Sequence, residues 1–381
     1  MTGPDAVLEL FRSRFGGTAD GVWFAPGRAN LMGEHTDYNE GFVLPFALGQ
    51  GIVAAAARRS DRRLVLCSAQ EPGSLVEVAL DGLEPGQVTG WAAYPAGVAW
   101  ALACAGYEVP GACVAIDSDV PAGAGLSSSA ALECATALVL SGPAAGRREL
   151  AAITRRAEND FVGVPSGIMD QSASLLSRRG HALLLDCRSL EASQVPFDPA
   201  AYGAHLLLIN TRASHQLTAG EYGRRRAECE QAARLLGVPS LRYLTDVGDL
   251  RRLTDPVLRR RARHVVTDNQ RVLEVAGLLT SGSGDPYPAI GRLLTQAHLS
   301  LRDDFEISWP EADATVDAAL AAGALGTRMI GGGFGGSVLA LVREEEPVRA
   351  AVTGAFARRS WTAPEFLEAS PSDSARRLGL E

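Results

Sequence analysis

The order of the segments predicts an α+β chain, and three observations carry that reading. Strand-like and helix-like stretches alternate, but without the regular strand–helix–strand rhythm of a doubly wound sheet. A dinucleotide-like glycine pattern at Gly331, Gly333 and Gly336 runs into a strand instead of a helix. A length of 381 residues, 46% of them hydrophobic and 21% charged, holds enough apolar material for two domains or one large one.

Apolar residues at 7, 8, 11 and 15 give Val7–Phe15 the spacing of a short amphipathic helix. Gly21–Leu31 starts as a strand at Val22, Trp23 and Phe24 and breaks at Pro26-Gly27. Phe42–Ala57 and Leu64–Ser68 read as strands, Trp91–Ala105 as a helix and Ala112–Asp117 as a further strand. A glycine-rich loop, Pro121–Gly125, leads into a helix from about Ser127 to Leu140. Glu149–Phe161 carries Leu150, Ile153, Ala157 and Phe161 on one helical face, and Gly163 and Pro165 stop it. A third helix starts near Ser166 and includes Met169-Asp170-Gln171. Ser193–Tyr202, with Pro196 and Pro199, is the expected crossing between domains. Beyond it come a strand at His205–Asn210, arginine-rich helices, a helix near Gly291–Asp303 and a strand at Val338–Val342.

Lys and Arg total 36, and every one is arginine. The missing lysine removes a Walker-A site, a protein-kinase β3 lysine and Schiff-base chemistry. A net charge of −8 argues against a nucleic-acid partner. Three arginine clusters, Arg224–Arg226, Arg251–Arg252 and Arg259–Arg263, are expected as solvated helix faces. The cysteines (Cys67, Cys104, Cys113, Cys134, Cys187, Cys229) form no CxxC pair and sit mostly among apolar neighbours, as reduced core residues do. Asp5, Glu9, Arg12 and Arg14 exclude a signal peptide at the N-terminus. No apolar run approaches the ~20 residues that span a bilayer. The expectation is a cytoplasmic protein with no membrane or nucleic-acid partner.

Three glycine-bearing segments carry chemistry. The first, Gly27–Asn39, packs Arg28, Glu34, His35 and Asp37 between two apolar strand signals, which costs desolvation unless something pairs with them. Carboxylates and an imidazole suit the hydroxyls of a sugar or polyol, and a self-satisfied capping network is the alternative. In the second, Pro121–Leu132, Gly123 and Gly125 permit close backbone approach, and Ser127, Ser128 and Ser129 open a helix. The free N–H groups and positive dipole end of such a helix bind anions, and phosphate is the reading preferred over three simple caps. The third, Gly331–Ser337, lacks the following helix of a dinucleotide site and reads as a tight turn approaching another loop or a ligand.

In this order and spacing the three segments resemble the motifs of the GHMP small-molecule kinases (galacto-, homoserine, mevalonate and phosphomevalonate kinases). The run Glu34–Asn39, followed by Gly41-Phe42-Val43-Leu44-Pro45, narrows the resemblance to the galactokinases. Gly167–Gln171 and Ser300–Ser308 are further family-like stretches, and the likeness extends from about residue 20 to about 345. Glu40 stands where the family usually has glycine, Met32 where it has a β-branched residue, and Ser166 where cysteine is common.

The resemblance implies a two-domain fold with an active site in the cleft between the domains. Residues 1–195 would form a ribosomal-protein-like mixed-sheet domain and residues 196–381 a ferredoxin-like α+β domain. It implies ATP-dependent phosphorylation of the anomeric C1 hydroxyl of galactose, the first committed step of galactose catabolism by the Leloir route, by a monomer using Mg²⁺. Asp170 falls at the catalytic position with Arg28 as its cation. Glu34, His35, Asp37, Gly167 and Tyr222 fall at sugar-binding positions, Asp37 for the C3 and C4 hydroxyls, Glu34 and His35 for C6. Gly123, Gly125, Leu126, Ser127, Ser128 and Ser129 form the nucleotide loop, Trp91 flanks the adenine, and Ser128 with Glu158 holds Mg²⁺. The close alternatives are another sugar kinase, such as an N-acetylgalactosamine kinase, and a catalytically inactive galactose-sensing regulator.

Overall fold

The computed structural model describes residues 3–121, 123–142, 145–213, 218–282 and 284–379. Helix α1 (Pro4–Phe15) precedes β1 (Gly21–Asn30), β2 (Phe42–Val43), β3 (Pro45–Arg59), β4 (Arg63–Ser68) and β5 (Val76–Ala79). Helix α2 (Ala93–Cys104), β6 (Gly111–Ser118), helices α3 (Ser128–Ser141), α4 (Arg147–Arg156) and α5 (Met169–Leu176), and the hairpin β7 (His181–Asp186) to β8 (Glu191–Pro196) follow. Next come β9 (His205–Asn210), α6 (Thr218–Leu236), α7 (Pro256–Thr280), α8 (Tyr287–Asp303) and α9 (Pro310–Ala321). The chain ends through β10 (Gly326–Ile330), β11 (Ser337–Val342), α10 (Glu345–Ala357), β12 (Glu365–Ala369) and β13 (Arg376–Leu378).

Six strands form a mixed sheet in the order β13-β1-β3-β6-β4-β5, its one parallel pair being β4 with β6. Four form an antiparallel sheet, β10-β11-β9-β12, and β2-β7-β8 make a small third. The last strand, β13, returns to the first sheet, where Val22 faces Leu378. This is the expected α+β architecture.

Side chains alternate across each sheet, so each sheet builds two cores. In the first sheet Val53, Ala55, Val65 and Ala115 face α1 through Val7 and Phe11. Ala54, Ala56, Leu66, Val114 and Ile116 face the layer that holds α2, α3, α4 and α5. In the second sheet Leu207, Ile209, Val338 and Ala340 pack on residues of α9 and α10 such as Val316 and Phe356. Their neighbours Leu206, Leu208, Leu339 and Leu341 face the other way, onto Leu31, Met32, Leu44 and Phe46. Val120, Ala124 and Leu126 of the second glycine segment join that same core, so buried apolar contact fixes the two halves of the chain against each other.

Several local expectations change. Pro26-Gly27 does not break the first strand: β1 continues to Asn30 and absorbs the proline in a register shift between Pro26 and Arg28. The helix read as Glu149–Phe161 is α-helical only to Arg156 and continues as a wide π turn, Ala157–Val162. The helix expected near Ser166 begins at Met169. Two arginines expected on solvated faces are buried, Arg225 and Arg261. Their guanidinium groups satisfy the carbonyls of the turn after α8: Arg225 donates to Phe305 O at 2.8 Å and Glu306 O at 2.9 Å, and Arg261 to Asp304 O at 2.5 Å. Arg224, Arg251, Arg252, Arg259 and Arg263 are exposed as expected. All six cysteines are free thiols. Among the described residues no helix is long and apolar enough to cross a membrane.

Glu40 closes the short helical turn Asp37–Asn39 in the left-handed region, at φ 59°. A side chain there costs about 1 kcal/mol relative to glycine. The Ser240 hydroxyl, donating to Glu40 Oε2 at 3.0 Å, offsets part of that cost. Glu40→Gly trades the bond for relief of strain and is expected to unfold within about 0.5 kcal/mol of the parent in urea, whereas Glu40→Ala keeps the strain and loses about 1 kcal/mol. Equal losses in the two variants would remove the strain argument.

Candidate active site

Arg28, in β1 just past the register shift against β3, is 7% exposed and binds two segments at once. Its backbone N–H donates to Leu126 O at 3.1 Å and its Nη1 to Gly125 O at 2.7 Å. Nε and Nη2 fork onto Asp170 Oδ1 and Oδ2 at 2.8 and 2.9 Å. Burial lowers the Arg28 pKa, and Asp170, then Glu34, outweigh it and raise it overall. Asp170 sits in the first turn of α5, and its side chain is 26% exposed, enough for a ligand to reach it. Ser127 donates its hydroxyl to Asp170 Oδ2.

Asp37 lies beside this pair. Tyr38 N–H donates to its Oδ1 at 2.9 Å, and the N–H of Met169 approaches Oδ2 at 3.4 Å. Burial, then Asp170, raises the Asp37 pKa above the usual carboxylate range. Gly167 is glycine for a steric reason: a Cβ there would stand 1.8 Å from Asp37 Oδ2. Glu34 is buried, and its Oε1 accepts from Gly331 N–H at 2.9 Å. Arg328 Nη2 lies 2.9 Å from the same oxygen, as an ion pair whose angle is poor for a hydrogen bond. Burial raises the Glu34 pKa against the pull of Arg328 and Arg28.

His35 has both ring nitrogens engaged. Gly332 O, 3.1 Å from Nε2, can only accept, so Nε2 carries the proton and the Tyr38 hydroxyl, 2.8 Å away, donates to Nδ1. Burial, then His264, lowers its pKa from 6.5 to about 3, so the ring is neutral at physiological pH. Tyr222, from α6, packs its ring 5.0 Å from that of His35, and burial with Asp37 and Asp170 lifts its phenol well above 10.

In the second glycine segment, Gly123, Gly125 and Ser127 all have left-handed φ, at 70°, 72° and 57°, and Ala122 lies outside the described residues. Ser127 O accepts from Ala131 N–H at 3.1 Å, which leaves the first amides of α3 without intrahelical acceptors. Ser128 is exposed at this end. Leu126 turns its side chain into the core shared by the two halves, so only its backbone faces Arg28. The third segment closes over the second: Ser337 Oγ donates to Ala124 O at 2.8 Å, and a Cβ on Gly331 would meet Gly125 O at 3.2 Å.

The π turn places Glu158 beneath this loop, buried. Its Oε2 accepts from Ser166 Oγ at 2.6 Å and Gln171 Nε2 at 2.8 Å, while Oε1 has Ser129 Oγ at 3.3 Å. Burial raises its pKa. Gln171 also donates to Glu133 Oε2 at 3.0 Å, and burial, then Glu158, pushes that fully buried acid well above the carboxylate range.

Arg28, Glu34, His35, Asp37, Glu158, Gly167, Asp170 and Tyr222 therefore line one cavity of about 170 Å³, with Gly331 and Gly332 at its far wall. Trp91 is not among its lining residues; it sits half-buried in the turn Gly90–Ala92, against the first core. Sequence reasoning missed Arg328, Glu133 and Gln171. An arginine inside the apolar strand Gly-Thr-Arg-Met-Ile is the one signal that pointed to any of them.

A family model described as the galactokinase galactose-binding signature matches residues 9–58, and models of the GHMP kinase N-terminal and C-terminal domains match 93–178 and 286–357. The galactokinase of Streptomyces coelicolor is 52% identical over 98% of each chain. This chain belongs to the galactokinase family. Human galactokinase is 44% identical over 88% of this chain and 86% of its own. The crystal structure of Lactococcus lactis galactokinase complexed with galactose matches with a TM-score of 0.93 at 33% identity, covering 98% of this chain and 99% of that one. A mevalonate kinase crystal structure, at 15% identity and a TM-score of 0.62, shares the fold.

Two outcomes test the geometry of this galactokinase-family cleft. Gly167→Ala forces Asp37 aside, so the KM for galactose is expected to rise about tenfold or more while that for ATP stays within about twofold; equal shifts would place Asp37 elsewhere. His35 must stay neutral to stay folded, and the unfolded chain gains its proton below pH 6.5. Its contribution is whole above pH 6.5 and is lost as pH falls toward 3, by up to about 1.4 kcal/mol per pH unit. In urea unfolding, His35→Gln should therefore lose stability less steeply than the parent between pH 6.5 and 5. Parallel curves would contradict a buried neutral ring.

Proposed function

We propose that this cleft transfers the terminal phosphoryl group of ATP to the C1 hydroxyl of galactose, giving galactose 1-phosphate and ADP. The observation that carries the reading is the Arg28–Asp170 pair, seated where the sugar segment meets the phosphate loop. The O–P bond to C1 forms as the bond to the β–γ bridging oxygen breaks, and the hydroxyl proton passes to Asp170. Such a transfer runs through a loose transition state, so positioning and charge neutralisation outweigh covalent chemistry. Asp170, held at both oxygens by Arg28, orients the hydroxyl first and takes its proton late. The Arg28 fork offsets charge developing on the phosphoryl oxygens.

Asp37 takes the C3 and C4 hydroxyls, with Gly167 leaving room for it. Glu34 borders the C6 end, where His35, its nitrogens already engaged, shapes the wall instead of bonding the sugar. Tyr222 covers the ring. The phosphates lie on the amides that open α3, from Ser127 to Ser129, with Gly123 and Gly125 allowing the approach.

Glu158 and Ser128 suit Mg²⁺. They offer hard oxygen donors, and Glu158 is a buried acid with no arginine in ion-pair contact among the described residues, so a cation is what it lacks. When bound, the ion neutralises phosphate charge. Free thiols and an ATP substrate support a cytoplasmic setting.

A coupled assay with Mg-ATP over galactose, 2-deoxygalactose, N-acetylgalactosamine and glucose tests the substrate, with turnover expected on galactose; preference for N-acetylgalactosamine would reassign it, and silence on every sugar would leave a sensor. Asp170→Asn is expected to lower kcat by about 10²–10⁴ with little change in the KM for galactose. Near-normal turnover would remove Asp170 from the reaction.

A further inference from the structure

A second cavity, of about 480 Å³, lies at the other end of α3 from the phosphate loop, beside Leu138, Val139 and Gly142. The 14 residues of α3 set the two ends about 21 Å apart. Small residues on β3 and β6, such as Ala56 and Ala112, leave the space, and Trp23 walls one side. Its size falls within the roughly 300–1,000 Å³ of small-molecule sites.

Arg58, Arg147 and Arg377 line this cavity, and among the described residues none of the three has a carboxylate within ion-pair distance. Their sequence neighbours behave differently: Arg59, Arg62 and Arg63 pair with Asp61, Asp81 and Glu77. Arg147 is half-buried and, among the described residues, donates only to a backbone carbonyl, Ala375 O at 2.6 Å. Arg377 donates to Asp20 O at 2.5 Å and stacks 5.3 Å over the Trp23 ring. The Arg58 guanidinium reaches across to Gly142, where a Cβ would stand 3.8 Å from its Nη2. Asp20 is the one carboxylate on the lining, and its Oδ2 already accepts the Arg58 backbone N–H at 2.7 Å. Three cations around one hollow repel each other unless an anion joins them.

We propose that this cavity binds a small organic phosphate monoester, its phosphate on Arg58, Arg147 and Arg377 and its body against Trp23 and Leu138. Guanidinium forks match phosphate oxygens in pairs, and the apolar wall gives the rest of the molecule a surface. Calorimetric titration of the full chain with glucose 6-phosphate, uridine monophosphate and inorganic phosphate tests this. The expected result is saturable one-to-one binding of at least one monoester, tighter than inorganic phosphate. Arg58→Ala and Arg147→Ala each weaken it about tenfold or more, with the kcat for galactose unchanged in Arg58→Ala. Preference between the sugar phosphate and the nucleotide names the source of the body, and either preference supports the site. Arg58 is exposed and its guanidinium has no hydrogen-bond or ion-pair partner among the described residues, so its variant keeps the test valid if Arg147→Ala fails to fold. Absence of binding by all three probes, monoester binding no tighter than inorganic phosphate, or binding indifferent to both substitutions would overturn the proposal.

Discussion

The bidentate pair between Arg28 and Asp170 holds the cleft together across 142 positions of sequence. One guanidinium spends its donors on a carboxylate from α5 and a carbonyl from the phosphate loop, while its own backbone amide pins β1 to the next residue of that loop. Removing Asp170 leaves the buried Arg28 guanidinium uncompensated, at a cost of about 3–5 kcal/mol. On the proposed mechanism, stability and catalysis draw on the same contact.

Around that pair burial works against ionised carboxylates. Burial pushes Asp37, Glu34, Glu158 and Glu133 all above the ordinary carboxylate range. Backbone strain collects in the same place, with His35, Glu40 and Ser127 all in the left-handed region. Strain persists only where surrounding structure over-determines it. Here the shared core from Leu31 to Leu341 supplies that constraint.

The parts legible in the sequence were those whose signal is local. Glycines at fixed offsets, a serine run opening an apolar helix, and a cluster of polar groups between apolar strands picked out segments that the structure brings together at Arg28 and Asp170. What stayed hidden depends on partners far away in the chain. Arg261 sits in a run that reads as a solvated face, yet it is buried because Asp304 and Glu306, over 40 positions on, bring oxygens to it. Glu158 was named for Mg²⁺ through the family resemblance, but its π turn stayed hidden, since the extra residue leaves the apolar pattern that periodicity detects unchanged. Glu133 and Gln171 looked like ordinary helix positions, and only the packing of α3 against α5 makes them a buried network beside Glu158.

The glycine turn 331–336 shows how a misleading pattern acquires its real meaning from geometry. Its spacing would suit a pyrophosphate, but the glycines admit protein backbone instead: a Cβ on Gly333 would stand 2.6 Å from Ile307 O, and one on Gly336 3.4 Å from Ala124 O. Three further bonds cross the same seam, from Gly331 to Glu34, from His35 to Gly332 and from Ser337 to Ala124. A hinge between the halves at this line would break all of them together and expose buried polar groups, each costing about 1–3 kcal/mol. Fixed donors and acceptors of this kind stabilise a transition state without reorganising, which is what the proposed transfer asks of this wall of the cleft. Any motion that admits the nucleotide must come from elements outside this seam.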